Sequence, residues 1–225
     1  MMRNGKWISV FTLAVVLLGL STAKFCLIDY CPSTIAQNSK AKDKKAKNKA
    51  AVKSQSSPIS DGHEVDWRKQ STNAAMLVFQ KKYAEADSIF VKILPVARKE
   101  DPNGIDLGVC LLRYGSGLVG EKKYQQAVAN LEEAFKIVKG TPETRRQKKA
   151  TFQILKTIST AYIRSNQFDR GEKFARKAIA YRIAFPETAS LDYFKNTYEG
   201  LHFCLENQKK LDEASAVAEI IKTLS

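Results

Sequence analysis

LRYGSGLVGEKKYQQAVANLEEAFKI, residues 112–137, reads as two helices joined by a short polar turn. Leu111, Gly115 and Leu118 follow one another at steps of four and three, which places them on one helix face. Gly-Glu-Lys-Lys then breaks the pattern. Tyr124, Ala127, Leu131 and Ala134 resume the same spacing on a second helix. Helix separation is set by the side chains at the contact, so a bare Gly115 opposite the small Ala127 and Ala134 lets the two helices approach closely. Tyr124 wedges the corner.

The second half of this phrase occurs four times. Its copies are Tyr83, Ala86, Phe90 and Ile93; Tyr124, Ala127, Leu131 and Ala134; Phe168, Gly171, Ala175 and Ala178; and Leu211, Ala214, Ala218 and Ile221. Their first residues lie 41, 44 and 43 apart. A period of this length signals stacked helix pairs, each burying its apolar face against its neighbours. Pro102, Pro142 and Pro186 stand before the last three pairs, where proline suits a helix start and stops the helix before it. The spacing predicts eight helices, over 64–80, 84–99, 105–120, 124–138, 142–165, 168–183, 187–207 and 211–224, with a kink at Pro95. No segment alternates with period two, so an all-α fold is expected.

The string at 112–137 resembles a tetratricopeptide repeat. SNQFDRGEKFARKAIAYRIAFPETASLDY, residues 165–193, resembles the longer kinesin-light-chain type of that repeat. The resemblance covers about residues 64–225 and implies a right-handed α-solenoid of about four helix-turn-helix units. It departs from the pattern at the Gly115 slot, which Ala74, Ser159 and His202 fill in the other units. The resemblance further implies that the first helices of the units line a concave groove for a protein or peptide segment. The candidates carried over are Phe79, Leu112, Ser116, Lys156, Thr160, Arg164, Glu199, Phe203 and Glu206, with Ser71 and Ala75 on the first helix. Ser71 and Ala75 stand where the Lys and Asn of the carboxylate-gripping branch belong, which argues against capture of a chaperone tail.

The chain of 225 residues carries a net charge of +14, unevenly spread. Residues 1–60 hold ten Lys or Arg against two Asp; residues 61–225 hold 27 basic and 21 acidic side chains. The repeats are therefore only mildly basic and show no stripe suited to nucleic acid. Arg3 and Lys6 precede an unbroken apolar run, Trp7–Leu20, and then Ser21-Thr22-Ala23. This reads as a signal peptide or membrane anchor within 1–30. Residues 31–62 contain seven lysines between Lys40 and Lys53 and read as a disordered linker. Residues 63–225 form the repeat domain. Positive-inside counting places the repeats outside the cytosol, tethered or secreted; a span running on to Ile28 would instead face them to the cytosol.

Four cysteines make no disulfide framework, although Cys26 and Cys31 are close enough for a local bridge. Two histidines 139 residues apart, with no nucleophile motif, phosphate loop or metal-spaced cluster, argue against an enzyme, a cofactor or a small-molecule substrate. The reading is a non-catalytic adaptor whose groove binds a protein segment. The alternative is a polyanion-binding accessory protein acting through Lys40–Lys53.

Overall fold

The computed structural model describes residues 66–224. The apolar run, the lysine-rich tract, Cys26 and Cys31 lie outside the described residues. Eight α-helices follow one another: α1 Trp67–Phe79, α2 Tyr83–Glu100, α3 Ile105–Gly120, α4 Tyr124–Gly140, α5 Arg145–Arg164, α6 Phe168–Ala184, α7 Leu191–Asn207 and α8 Leu211–Thr223. The one other helical element among the described residues is a 3-10 turn, Pro186–Thr188.

Side-chain caps mark the starts of α1 and α5, and the helices after Pro142 and Pro186 do not begin at their prolines. The Asp66 carboxylate accepts from the Lys69 N–H and starts α1. The Thr144 hydroxyl accepts from the Gln147 N–H, so α5 begins three residues later than Pro142 suggests. Pro186 spends its fixed φ on the 3-10 turn, and α7 begins at Leu191 instead of 187. Within α2 the helix continues past Pro95 to Glu100. Pro95 lies on the exposed face, where the donor it lacks would have met the Val91 carbonyl.

Each pair closes through one repeated turn. Lys81, Lys122, Asn166 and Lys209 have φ of 62°, 65°, 59° and 60°. The residue after each sends its N–H back to the last turn of the helix: Lys82 to Leu77, Lys123 to Leu118, Gln167 to Tyr162 and Lys210 to Leu205, all at 2.9 Å. This is a Schellman closure with the left-handed position held by lysine or asparagine, never glycine. Holding a lysine there costs about 1 kcal/mol or more, so the surrounding hairpin imposes the conformation.

Every helix packs on the next, and the odd-numbered helices also pack on one another, α1 on α3, α3 on α5 and α5 on α7. The even helices keep their backbones apart; long side chains link α2 to α4 through Arg98–Glu133 at 2.8 Å and α6 to α8 through Arg176–Glu213. A stack whose odd layer is the more closely spaced bends towards that layer. The groove therefore lies on the odd helices. The repeated phrase fills the seam between layers: Ala86, Phe90, Ile93, Ala127, Leu131, Ala134, Ala175 and Ala178 are wholly buried. In the last pair the register turns slightly. Ala214, Val217 and Ile220 are buried, while Ala218 and Ile221 are half-buried, because no further hairpin among the described residues presses α8 into line.

Candidate functional site

The repeat spacing converts the groove candidates into rows. Ser71, Leu112, Lys156 and Glu199 occupy one position in successive units. That row faces the next odd helix. Ser71 is covered by Arg113, whose Nη1 donates to its hydroxyl at 3.1 Å. Leu112 is only 6% exposed and belongs to the core, so it is not a ligand contact. Lys156 is half-buried, with its ammonium 4.3 Å from the centre of the Tyr193 ring on α7. Glu199 is exposed, since no odd helix follows it among the described residues.

A second row is Ala75, Ser116, Thr160 and Phe203. Ser116 and Thr160 turn their hydroxyls inwards, donating to the Leu112 and Lys156 carbonyls at 2.9 and 3.0 Å. Phe203 meets Phe168 edge-on at 5.9 Å and remains 47% exposed. Phe79 and Arg164 share a third row and are both exposed, at the C-terminal ends of α1 and α5. Glu206 lies 3.4 Å from His202 Nδ1, one turn away on α7. The structure thus gathers Lys156, Tyr193 and Glu199 at the α5–α7 seam, with Thr160 and Arg164 following Lys156 along α5. Phe79 lies at the other end of the stack.

Arg113 was not singled out by the spacing, yet it is a second half-buried cation of the groove layer. It donates to the Ser71 and Thr72 hydroxyls at 3.1 and 3.3 Å, and forms no ion pair among the described residues. Burial pulls its pKa down and the nearby Arg146 pushes the same way, while Cys110 and Asp106 oppose. Burial also lowers Lys156, with Glu199 opposing. Two half-buried cations on adjacent odd helices therefore lack a carboxylate partner, a costly state that an anionic ligand would relieve. The signal for Arg113 was available in sequence: it and Asp106 are the only charged residues of α3, seven apart and so on one face.

Asp106, by contrast, is matched twice over. Asp106 accepts from Arg68 of α1 at 2.9 Å and from Arg146 of α5, linking three odd helices. Burial favours its neutral form, but those two hydrogen bonds outweigh it and hold the carboxyl below its usual range. Cys110 and Cys204 are buried thiols whose pKa burial raises, Cys204 to about 12, which disfavours the reactive thiolate. Among the described residues no three His, Cys, Asp or Glu side chains gather in a metal-binding group. None of the described helices is long and apolar enough to cross a membrane.

The fold is that of a tetratricopeptide-like repeat solenoid. It superposes with a TM-score of 0.62 on BtubC (BKLC) from P. vanneervenii, at 11% identity, over 73% of this chain and 66% of that one. The chain thus spans just under two thirds of that structure's length. Two structures of a Podosopora anserina putative kinesin light chain with nearly identical TPR-like repeats also match. They do so at 11% identity with TM-scores of 0.36 and 0.35, over 70% of this chain and 93% of theirs. No protein-family model and no curated protein matches the chain.

Proposed function

We propose that the protein is a non-catalytic adaptor that holds a carboxylate-bearing segment of a partner protein along its odd-helix groove. The observation that carries this is the pair of half-buried, unmatched cations, Arg113 and Lys156, on neighbouring groove helices. Solenoids of this type present extended concave surfaces for such contacts. Arg164, two turns beyond Lys156 on α5, extends the positive side, while Glu199 and Glu206 suit a basic end of the same segment. Capture of partners from extract by the full chain and by an Arg113→Gln, Lys156→Gln double variant tests the reading. Partners held in the groove should be lost from the variant; an unchanged set of captured proteins would remove the groove as the site.

The apolar run before the repeats supports a membrane tether or export signal, with the groove on the extracytoplasmic side. Protease added to intact cells should digest the repeats; protection until lysis would place them in the cytosol. The lysine tract supports a second, weaker reading as a polyanion contact. Binding through it would fall steeply with salt, whereas groove binding would change far less.

A further inference from the structure

The corner between the second and third hairpins differs from the other two in charge. Residues 136–149 carry Lys136, Lys139, Arg145, Arg146, Lys148 and Lys149 against Glu143 alone. The matching residues one repeat earlier, 95–108, hold two basic and three acidic side chains; those one repeat later, 180–193, hold one and two. Arg146 is bonded to Asp106, and Lys148 stands 3.7 Å from Glu187 with its ammonium over the Phe185 ring. Lys136, Arg145 and Lys149 are exposed and form no ion pair among the described residues. The first turn of α5 also lacks the acidic residue that α3 and α7 have in Asp106 and Asp192. Cations at a helix start oppose the helix dipole as well as one another. An anionic surface laid against this corner relieves both repulsions.

The helices run alternately up and down, so this corner shares one edge of the stack with the start of α1. Trp67 Nε1 donates to Glu100, the last residue of α2, at 2.8 Å, and Arg68 donates to Asp106, the second residue of α3, at 2.9 Å. Asp106 in turn accepts from Arg146, the second residue of α5. The preceding part of the chain therefore joins the repeats on the edge that carries the basic corner. The left-handed turns at Lys81, Lys122, Asn166 and Lys209 lie on the opposite edge.

We propose that this corner is a contact for an anionic bilayer surface, that of the membrane in which the apolar run Trp7–Leu20 would anchor the chain. The inference rests on the tether reading. Lys136 and Lys149 each lie four residues from a helix end, Gly140 and Arg145. That is about 6 Å from the edge, within reach of a headgroup for a long side chain. An anchor keeps the corner near the bilayer, so a few free cations are enough to seat it. The charge is gathered at one corner and does not run along a helix face, which fits a bilayer surface better than a duplex. Seated this way, the helices stand end-on to the headgroups and the groove opens sideways.

The full chain on phosphatidylcholine vesicles, with and without phosphatidylglycerol, tests it through lysine acetylation read residue by residue by mass spectrometry. On the anionic vesicles Lys136 and Lys149 should react about fivefold more slowly than on the neutral ones. Lys81, Lys122 and Lys209, exposed on the opposite edge, should react equally on both. Raised salt should remove the difference. An Arg145→Gln, Lys149→Gln variant, its fold checked by circular dichroism, should return Lys136 to its rate on neutral vesicles. Equal rates at Lys136 and Lys149 on the two vesicles overturn the proposal, even where Lys40–Lys53 is slowed. So does slowing at the turn lysines to the same degree. Slowing at the corner by a DNA duplex but not by anionic vesicles would assign it to nucleic acid instead. Flotation with the neutral vesicles reads the anchor by itself. A chain that floats only with anionic vesicles, its corner lysines slowed, would keep the contact and remove the anchor.

Discussion

At the crossing of the second hairpin stands Gly115, with Leu131 folded over it so closely that an added β-carbon would lie 2.6 Å from Leu131 Cγ. The same slot in the fourth hairpin holds His202, half-buried and turned towards Glu206. The second hairpin has neighbours on both sides and every phrase position of α4 from Ala127 to Ala134 is buried; the fourth has one neighbour among the described residues and its phrase loosens. The third hairpin bridges the two states. Its slot residue, Ser159, is buried and donates to the Gly171 carbonyl at 2.8 Å, a polar link between helices where the second uses contact alone. One-sided packing does not by itself loosen a hairpin, since the first hairpin keeps Ala74, Ala86, Phe90 and Ile93 wholly buried; the bulk of His202 in the slot sets the fourth apart.

Gly115→Leu should break this comparison hardest. It overpacks the closest crossing and should cost about 1–3 kcal/mol, lowering the melting midpoint. Even Gly115→Ala should be felt, since Leu131 is fully buried and has nowhere free to move. His202→Leu at the equivalent slot should stay within about 0.5 kcal/mol of wild type, and equal losses at the two sites would end the distinction.

A smaller effect is expected at the joint that secures the fourth hairpin. Glu172 accepts from Lys210, Arg176 and Gln208 at 2.8, 2.7 and 2.9 Å. Glu172→Gln should cost about 1–2 kcal/mol and speed hydrogen exchange in α7 and α8 while leaving α3 and α4 protected. Uniform exchange would show the stack to be a single cooperative block. The same carboxyl gives a pH signature. Burial favours its protonation, but its three donors outweigh burial and hold the pKa below the usual 4.5. A depressed folded value means stability that is complete above the unfolded pKa and lost as pH falls through the folded one. Melts taken from pH 7 downwards should therefore lose stability below about 4.5, and lose less of it in Glu172→Gln.

The smallest change expected is a gain. Lys122→Gly relieves the left-handed position between α3 and α4 and should add about 0.5–1 kcal/mol; Asn166→Gly should add less, as asparagine tolerates that conformation. A loss at Lys122 would mean that its side chain stabilises the turn.

The helix pairs are legible in sequence because their two signals, apolar steps of three and four and a polar turn at fixed spacing, are local. Helix starts are less so. Pro142 and Pro186 draw the eye to the wrong residue, since the cap at Thr144 and the 3-10 turn ahead of Ser190 decide where the helices begin. The groove rows are harder still. Leu112 and Lys156 share a repeat position, yet one is core and the other half-open, because burial there depends on what the next odd helix places over it. Arg113 follows the same rule: α3 shows it as a lone cation on one face with Asp106, but that no carboxylate forms an ion pair with it depends on what the neighbouring helices bring.

Each helix touches only those one or two places along the chain, and Arg113 reaches Ser71 across just 42 residues. Contacts this local carry a small loop-closure cost, which favours rapid folding. They also set an order for a chain emerging from the ribosome. The first hairpin gains its neighbours once α3 and α4 have appeared, and each later hairpin closes on one already formed. Folding should keep pace with synthesis, one pair at a time.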